Sequence, residues 1–344
     1  MAEIDVAFAP AELTVIVGDN GAGKTSLLEG IGYVATQRSL RGASRDVLVR
    51  SGRDSAIIRA ETTRTDRTVL VEMELPLSGP ERAQVNKRRI ARAEDLSEAL
   101  LVTVFSPDDM VLVKGSPTHR RGYLDDVLAS SAPRLGGLRR EVERVLRQRG
   151  TLLHQAKGRL TAEVAATLDV WDTQLATRGE ELVLRRDEAA QELEPPAAEA
   201  YSHLAGAASS LRLVYRRSWR GSLADALAAA RFEDVRRGIT TVGPHRDDLD
   251  IFIGELDART RLSQGRQRCV TLALRLAAQR VVTNARSARP VLLLDDAFSE
   301  LDPRTASALL ETLPRGQAIL TTASALPPGA EPAVVTRIAA GALV

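Results

Sequence analysis

Cysteine, lysine and aromatic residues are all scarce in this 344-residue chain. The single cysteine, Cys269, excludes an internal disulfide and every multi-cysteine zinc site, as expected of a protein kept in a reducing cytosol. Aromatics amount to 3% against 44% apolar residues, so a core has to be assembled from Ala, Val and Leu rather than from rings. No apolar run approaches the roughly 18 residues that a membrane-spanning helix needs, and the opening MAEIDVAFAP carries an acidic residue where a signal peptide would be positive. A cytoplasmic protein with no membrane partner is the expectation. Lysine occurs only as Lys24, Lys87, Lys114 and Lys157, against 43 arginines. Basic and acidic totals of 47 and 45 nearly cancel, so net charge alone predicts no nucleic-acid partner; that would require cations gathered on one face.

At roughly 150 residues per domain, the length suggests two domains or one large domain carrying an insertion. Residues 13–17 form a short β-branched run that leads into a glycine-rich turn and then an apolar stretch, which reads strand, loop, helix. Further strands are expected at 57–62, 69–75, 101–105, 211–216 and 249–253. Continuous apolar runs at 291–294 and 318–321 have the character of buried parallel strands. Between these α/β ends, residues 134–194 show apolar positions at spacings of three and four with Arg and Glu opposite, the pattern of two or three long helices. Pro195 and Pro196 are expected to end that run, because proline lacks the helical N–H donor and pushes its predecessor out of the helical region. No repeat and no low-complexity tract is present.

Gly18, Asp19, Asn20, Gly21, Ala22, Gly23, Lys24 and Thr25 match the P-loop pattern G-x-x-x-x-G-K-[ST] at every position, between strand and helix as the motif requires. The glycines let backbone N–H groups converge on the β- and γ-phosphates of ATP at a helix N-terminus, Lys24 would neutralise the γ-phosphate, and the Thr25 hydroxyl would hold Mg²⁺. The run 291–294 ends in Asp295 and Asp296, two carboxylates at the C-terminal end of a buried strand, where ligands of open α/β sheets sit. Asp295 would complete the Mg²⁺ shell, and Asp296 would orient or deprotonate the attacking water.

Two further segments set the chain apart from kinases and GTPases. Leu262-Ser263-Gln264-Gly265-Arg266-Gln267-Arg268, just ahead of a helix expected at 269–278, resembles the ABC-type signature L-S-G-G-Q. The resemblance implies that Ser263, Gln264 and Gly265 bind the γ-phosphate held by the P-loop of a second subunit, so that ATP joins a dimer. Read alone, Ser263 also has a plainer reading as an N-capping serine. Phe298-Ser299-Glu300-Leu301-Asp302 resembles the D-loop of the same superfamily.

Within that superfamily the chain resembles the RecF family. The resemblance rests on residues 107–125, which open with a proline and two acids, contain Lys114-Gly115 and the Arg120-Arg121 pair, and close on Leu124-Asp125. It also rests on Thr241-Val-Gly-Pro-His245-Arg246-Asp247-Asp248, Trp171-Asp172 and Tyr215-Arg-Arg-Ser-Trp219. It implies an α/β fold, a P-loop ABC-type ATPase head with a smaller inserted helical lobe. The head would comprise residues 1–106 and 236–344 and the lobe residues 107–235. It further implies an ATP-dependent homodimer that binds DNA at single-strand to double-strand junctions, works with RecR and RecO to load RecA into gaps, and hydrolyses ATP slowly as a switch. The family pattern has one more N-terminal strand before the equivalent of Ile4 to Phe8, with an arginine near the phosphates, that this sequence does not contain. Thr321-Thr322 falls after the last core strand, where transporter ATPases carry a switch histidine, so sensing of the γ-phosphate there would be weaker or made by hydroxyls.

Two alternatives stay open on the sequence. Another SMC-like repair ATPase would need an arm of hundreds of residues, and a transporter subunit would leave residues 107–125 unexplained. Three groups have a structural and a functional reading. His245 to Asp248 could be a metal or acid-base cluster or a hydrogen-bonded turn. Arg120 and Arg121 could meet DNA phosphate or pair with Asp125 and Asp126. Arg134, Arg139, Arg140, Arg144, Arg147 and Arg149 could form a DNA-binding face or a solvated one.

Overall fold

The structure is a computed structural model that describes residues 3–64, 67–90, 96–206, 210–323, 326 and 329–344. In chain order its strands are β1 (Leu13–Val17), β2 (Ser55–Arg64), β3 (Arg67–Pro76), β4 (Arg82–Val85), β5 (Arg88–Arg89), β6 (Val102–Phe105) and β7 (Leu211–Arg216). They continue with β8 (Asp248–Ile253), β9 (Leu256–Asp257), β10 (Val291–Asp295), β11 (Ala318–Thr322), β12 (Val334–Ala339) and β13 (Ala342–Leu343). Helices of ten or more residues are α1 (Lys24–Thr36), α2 (Pro117–Ser131), α3 (Gly136–Gln155), α4 (Ala162–Ala205), α5 (Leu223–Arg237), α6 (Gln264–Arg286) and α7 (Pro303–Thr312).

The chain divides into two compact units, one of residues 1–109, 203–207 and 271–344 and the other of 110–202 and 208–270. Residues 236–270, expected in the head, fall in the second unit. In the structure β8, within that stretch, pairs antiparallel with β7 and β9, which is why it belongs to the second unit.

The first unit holds a six-stranded sheet in the order β13-β12-β1-β11-β10-β6, parallel except for the β12–β13 pair. Its central strands are the continuous apolar runs of the sequence, and β11 is buried at every residue. A separate antiparallel sheet, β2-β3-β4-β5, lies in the same unit. Helix α1 is covered on both sides: Leu27 and Leu28 join Ile16, Leu293 and Ile319 under the six-stranded sheet, while Tyr33 and Val34 join Val71, Met73 and Leu75 of the antiparallel one. Each contact removes apolar surface from water, so the helix that carries Lys24 and Thr25 is fixed from two directions.

In the second unit, α3 buries Leu138, Val142 and Val145 against Leu175 of α4 and Leu223 and Leu227 of α5, the apolar spacing read from the sequence. The two prolines do not end the helix: α4 runs unbroken through Pro195 and Pro196 to Ala205. Tertiary packing overrides the local penalty, because Leu193, Ala197, Ala200, Tyr201 and Leu204 are all buried around and beyond the prolines. Glu194 adds a tie by accepting a hydrogen bond from the Leu213 amide at 2.7 Å.

Candidate functional site: a P-loop facing an acidic strand end

The loop after β1 is shaped by glycines that no other residue could replace cheaply. Gly21 and Gly23 have φ of 82° and 107°, and a Cβ on Gly18 would lie 2.3 Å from the Ile338 carbonyl oxygen of β12. Gly23 precedes α1 without a side-chain cap, which leaves the first-turn amides of the helix for an anion. Lys24 is buried, and its Nζ donates to the carbonyls of Gly18 at 2.7 Å and Asp19 at 3.0 Å, so the ammonium sits inside the ring that the loop describes.

Opposite the loop, β10 ends at Asp295. The parallel register β1-β11-β10 places one strand between β1 and β10, and Thr25, one residue into α1, reaches across to donate to Asp295 Oδ1 at 3.0 Å. The same oxygen accepts from Thr321 Oγ1 at 2.7 Å. The Thr25 hydroxyl and the Asp295 carboxylate are hard oxygen donors within hydrogen-bond distance of each other, a pair that suits a small divalent cation such as Mg²⁺. Asp296 follows in the left-handed region at φ 48°, where the strand has ended. Its carbonyl accepts from Ser299 Oγ at 2.8 Å, and Asp302 caps α7 by accepting from the amides of Arg304 and Thr305. The whole segment 295–305 is therefore a braced turn.

Thr321 and Thr322 lie inside β11, not after it as the sequence suggested. The Thr321 hydroxyl is committed to Asp295, and the Thr322 carbonyl accepts from the Gly18 amide at 3.3 Å.

Ser263, Gln264 and Gly265 belong to the second unit. They are exposed at the start of α6, where the Ser263 carbonyl accepts from the Gln267 amide at 2.9 Å and a Cβ on Gly265 would meet no atom within 4 Å. Gln267, given no role by the motif, anchors this turn: its buried side-chain amide donates to the carbonyls of Ala258 and Arg259 at 3.1 and 3.0 Å. The helix extends from Gln264 to Arg286, longer at both ends than 269–278.

The other charged clusters of the second unit are joined by hydrogen bonds and ion pairs within that unit. Arg120 pairs with Asp248 through Nε and Nη2 at 2.8 and 2.9 Å, and Arg121 donates to the Asp247 carbonyl. Asp125, expected as a partner of that pair, instead takes a two-pronged bond from Arg186 at 2.7 and 2.8 Å. Asp247 accepts from Tyr215 Oη and the Ser218 amide. His245 bonds through Nε2 to the Thr240 carbonyl at 3.1 Å, and burial, aided by the charges of Arg246, Arg121 and Arg149, pushes its pKa down to about 4. Among the described residues no group of three or more His, Cys, Asp or Glu could hold a metal ion. Of the six arginines proposed as one face, Arg134 lies before α3, and within α3 only Arg140, Arg144 and Arg147 share an exposed stripe. Arg149 is fully buried between Asp172 and Asp234, Arg139 pairs with Glu143, and Arg134, Arg140, Arg144 and Arg147 remain exposed.

A P-loop strand and an acidic strand one position removed in a parallel sheet, with a signature-like turn on a separate unit, define an ABC-type ATPase head of the kind found in SMC proteins. The sequence profile described as RecF/RecN/SMC N terminal domain matches residues 2–325. The chain belongs to the RecF family. It is 39% identical over 338 residues to the DNA replication and repair protein RecF of Streptomyces avermitilis, covering 94% of this chain and 90% of that protein. It is also 39% identical over 339 residues to the DNA replication and repair protein RecF of Frankia alni, covering 93% of this chain and 89% of that protein. A solved structure of the recombination mediator protein RecF with ATP superposes with a TM-score of 0.88 at 25% identity, covering 98% of this chain and 92% of the other. An SMC head bound to the C-winged helix domain of ScpA shares the fold, with a TM-score of 0.57 at 17% identity. Among the described residues no helix is long and apolar enough to cross a membrane.

Proposed function

We propose that this chain is an ATP-dependent DNA-binding recombination mediator of DNA replication and repair. The observation that carries the reading is the convergence of Lys24, Thr25 and Asp295 on one end of the parallel sheet, joined by the 3.0 Å Thr25–Asp295 hydrogen bond. ATP would lie on the loop 18–25, with its phosphates at the α1 N-terminus and against Lys24. Thr25 and Asp295 would hold Mg²⁺, which when bound screens the phosphate charge. Asp296 would orient the attacking water, and Ser263, Gln264 and Gly265 would close the site from a second subunit. ATP bound across two subunits favours the homodimer, and DNA that binds only the dimer strengthens ATP binding in return. Hydrolysis then resets the complex slowly. The ATP-bound RecF relative, placed by its description in the RecFOR pathway, supports the cofactor and a role in recombination, and the replication and repair relatives support the setting. A cytoplasmic location, gapped or junction DNA, and RecR, RecO and RecA as partners complete the proposal.

The test is binding of the purified chain to gapped DNA with and without ATP across a salt series. Tight binding is expected only with ATP, with log affinity falling by about 0.9 per phosphate contacted for each log unit of salt. ATP-independent binding, or none, would count against the mediator reading.

A further inference from the structure

Thr321 touches both acids of the strand end, although it comes from a different strand and is not part of either nucleotide motif. It is fully buried in β11, directly opposite Asp295 in the parallel register with β10. Its hydroxyl donates to Asp295 Oδ1 at 2.7 Å and accepts the Asp296 amide at 3.1 Å, while its carbonyl takes the same amide at 3.1 Å. Both hydroxyl donors to Asp295, from Thr25 and Thr321, meet on Oδ1, so Oδ2 takes neither of them. The shared grip on the Asp296 amide holds that residue at φ 48°, a conformation a non-glycine residue does not keep without support. The β-branched side chain of Thr321 has a restricted χ1, so its hydroxyl is aimed before any ligand arrives.

We infer that Thr321 is the positioning residue of this site: through one hydroxyl it sets the direction of the Asp295 carboxylate toward Mg²⁺ and of Asp296 toward the water. The inference rests on the nucleotide reading above. It assigns to Thr321 a metal-dependent role, separate from binding of the nucleotide itself, which falls to the loop 18–25. Thr321→Val keeps the shape and removes the donor, and Thr321→Ser keeps the donor.

The experiment titrates a fluorescent ATP analogue into the full-length wild type and both variants, once with Mg²⁺ and once in EDTA, with Mn²⁺ binding followed in parallel by electron paramagnetic resonance. In EDTA all three are expected to bind alike, which also reports an intact fold. The gain in affinity on adding Mg²⁺ should fall about ten- to hundredfold in Thr321→Val, the range for losing a hydrogen bond to a charged acceptor, and return in Thr321→Ser. Mn²⁺ affinity should follow the same order. An unchanged Mg²⁺ gain in the valine variant overturns the inference, and so does an equal loss with and without metal. A wild type that binds no nucleotide in either condition overturns the nucleotide reading, and this inference with it.

Discussion

Arg149 offers the sharpest stability test because it is a complete charge without access to water. Its Nε meets Asp172 at 2.6 Å, and its Nη1 meets Asp234 at 2.8 Å and Thr240 Oγ1 at 2.9 Å. In Arg149→Met, Asp172 keeps Arg231 at 2.8 Å, but Asp234, fully buried, is left among the described residues with the amide and hydroxyl of Thr241 and no countercharge. Breaking one side of a buried pair costs about 3–5 kcal/mol, chiefly because the surviving charge is stranded. At about 2–4 °C per kcal/mol for a unit of this size, the melting temperature should fall by roughly 6–20 °C. Urea titration followed by tryptophan fluorescence isolates the effect, since both tryptophans, Trp171 and Trp219, pack in the second unit. Adding Asp234→Asn should restore at least about 1 kcal/mol by removing the stranded charge. A single-variant cost under about 1 kcal/mol, or a double variant no better than the single, would refute the argument.

His245, held neutral down to a pKa of about 4 against about 6.5 when unfolded, binds fewer protons folded than unfolded between those values. The stability it contributes is therefore fully present above about pH 6.5 and is lost as the pH falls toward 4, by at most about 3 kcal/mol; His245→Gln should flatten that part of the stability profile, and histidine NMR titration should place the pKa near 4. Lys24→Ala should abolish ATP-driven dimerisation, and an unchanged dimer fraction in sedimentation with ATP would sink the shared-site reading. Ser263→Arg should leave nucleotide binding by one subunit intact while blocking the dimer; equal loss of both would argue against action across subunits.

The nucleotide end of the fold was legible because its chemistry is local. Gly18, Gly21 and Gly23 are needed for backbone reasons that act within a few residues, and the runs that became β1, β10 and β11 are apolar throughout because both their faces are covered. Strands β4, β5 and β12 escaped notice for the opposite reason. Arg82–Val85 and Arg88–Arg89 are polar and held by a turn at Asn86 and Lys87, whose φ values of 49° and 64° suit a tight hairpin, and along β12 only Ile338 is buried. The prolines of α4 misled because helix breaking is a local penalty that distant packing can offset.

The sequence by itself determined the α/β class, the phosphate loop, the acidic strand end and the signature-like turn, since each depends on residue types at fixed short spacing. Which charged groups pair was decided by the tertiary structure alone. Arg120 finds Asp248 across 128 positions and Arg186 finds Asp125 across 61, while Thr321 meets Asp295 only because two strands far apart in the chain lie side by side in register. In a chain with 43 arginines, composition cannot say which guanidinium is buried, because a charge's partner is set by the fold that desolvates both, and no spacing in the sequence records it.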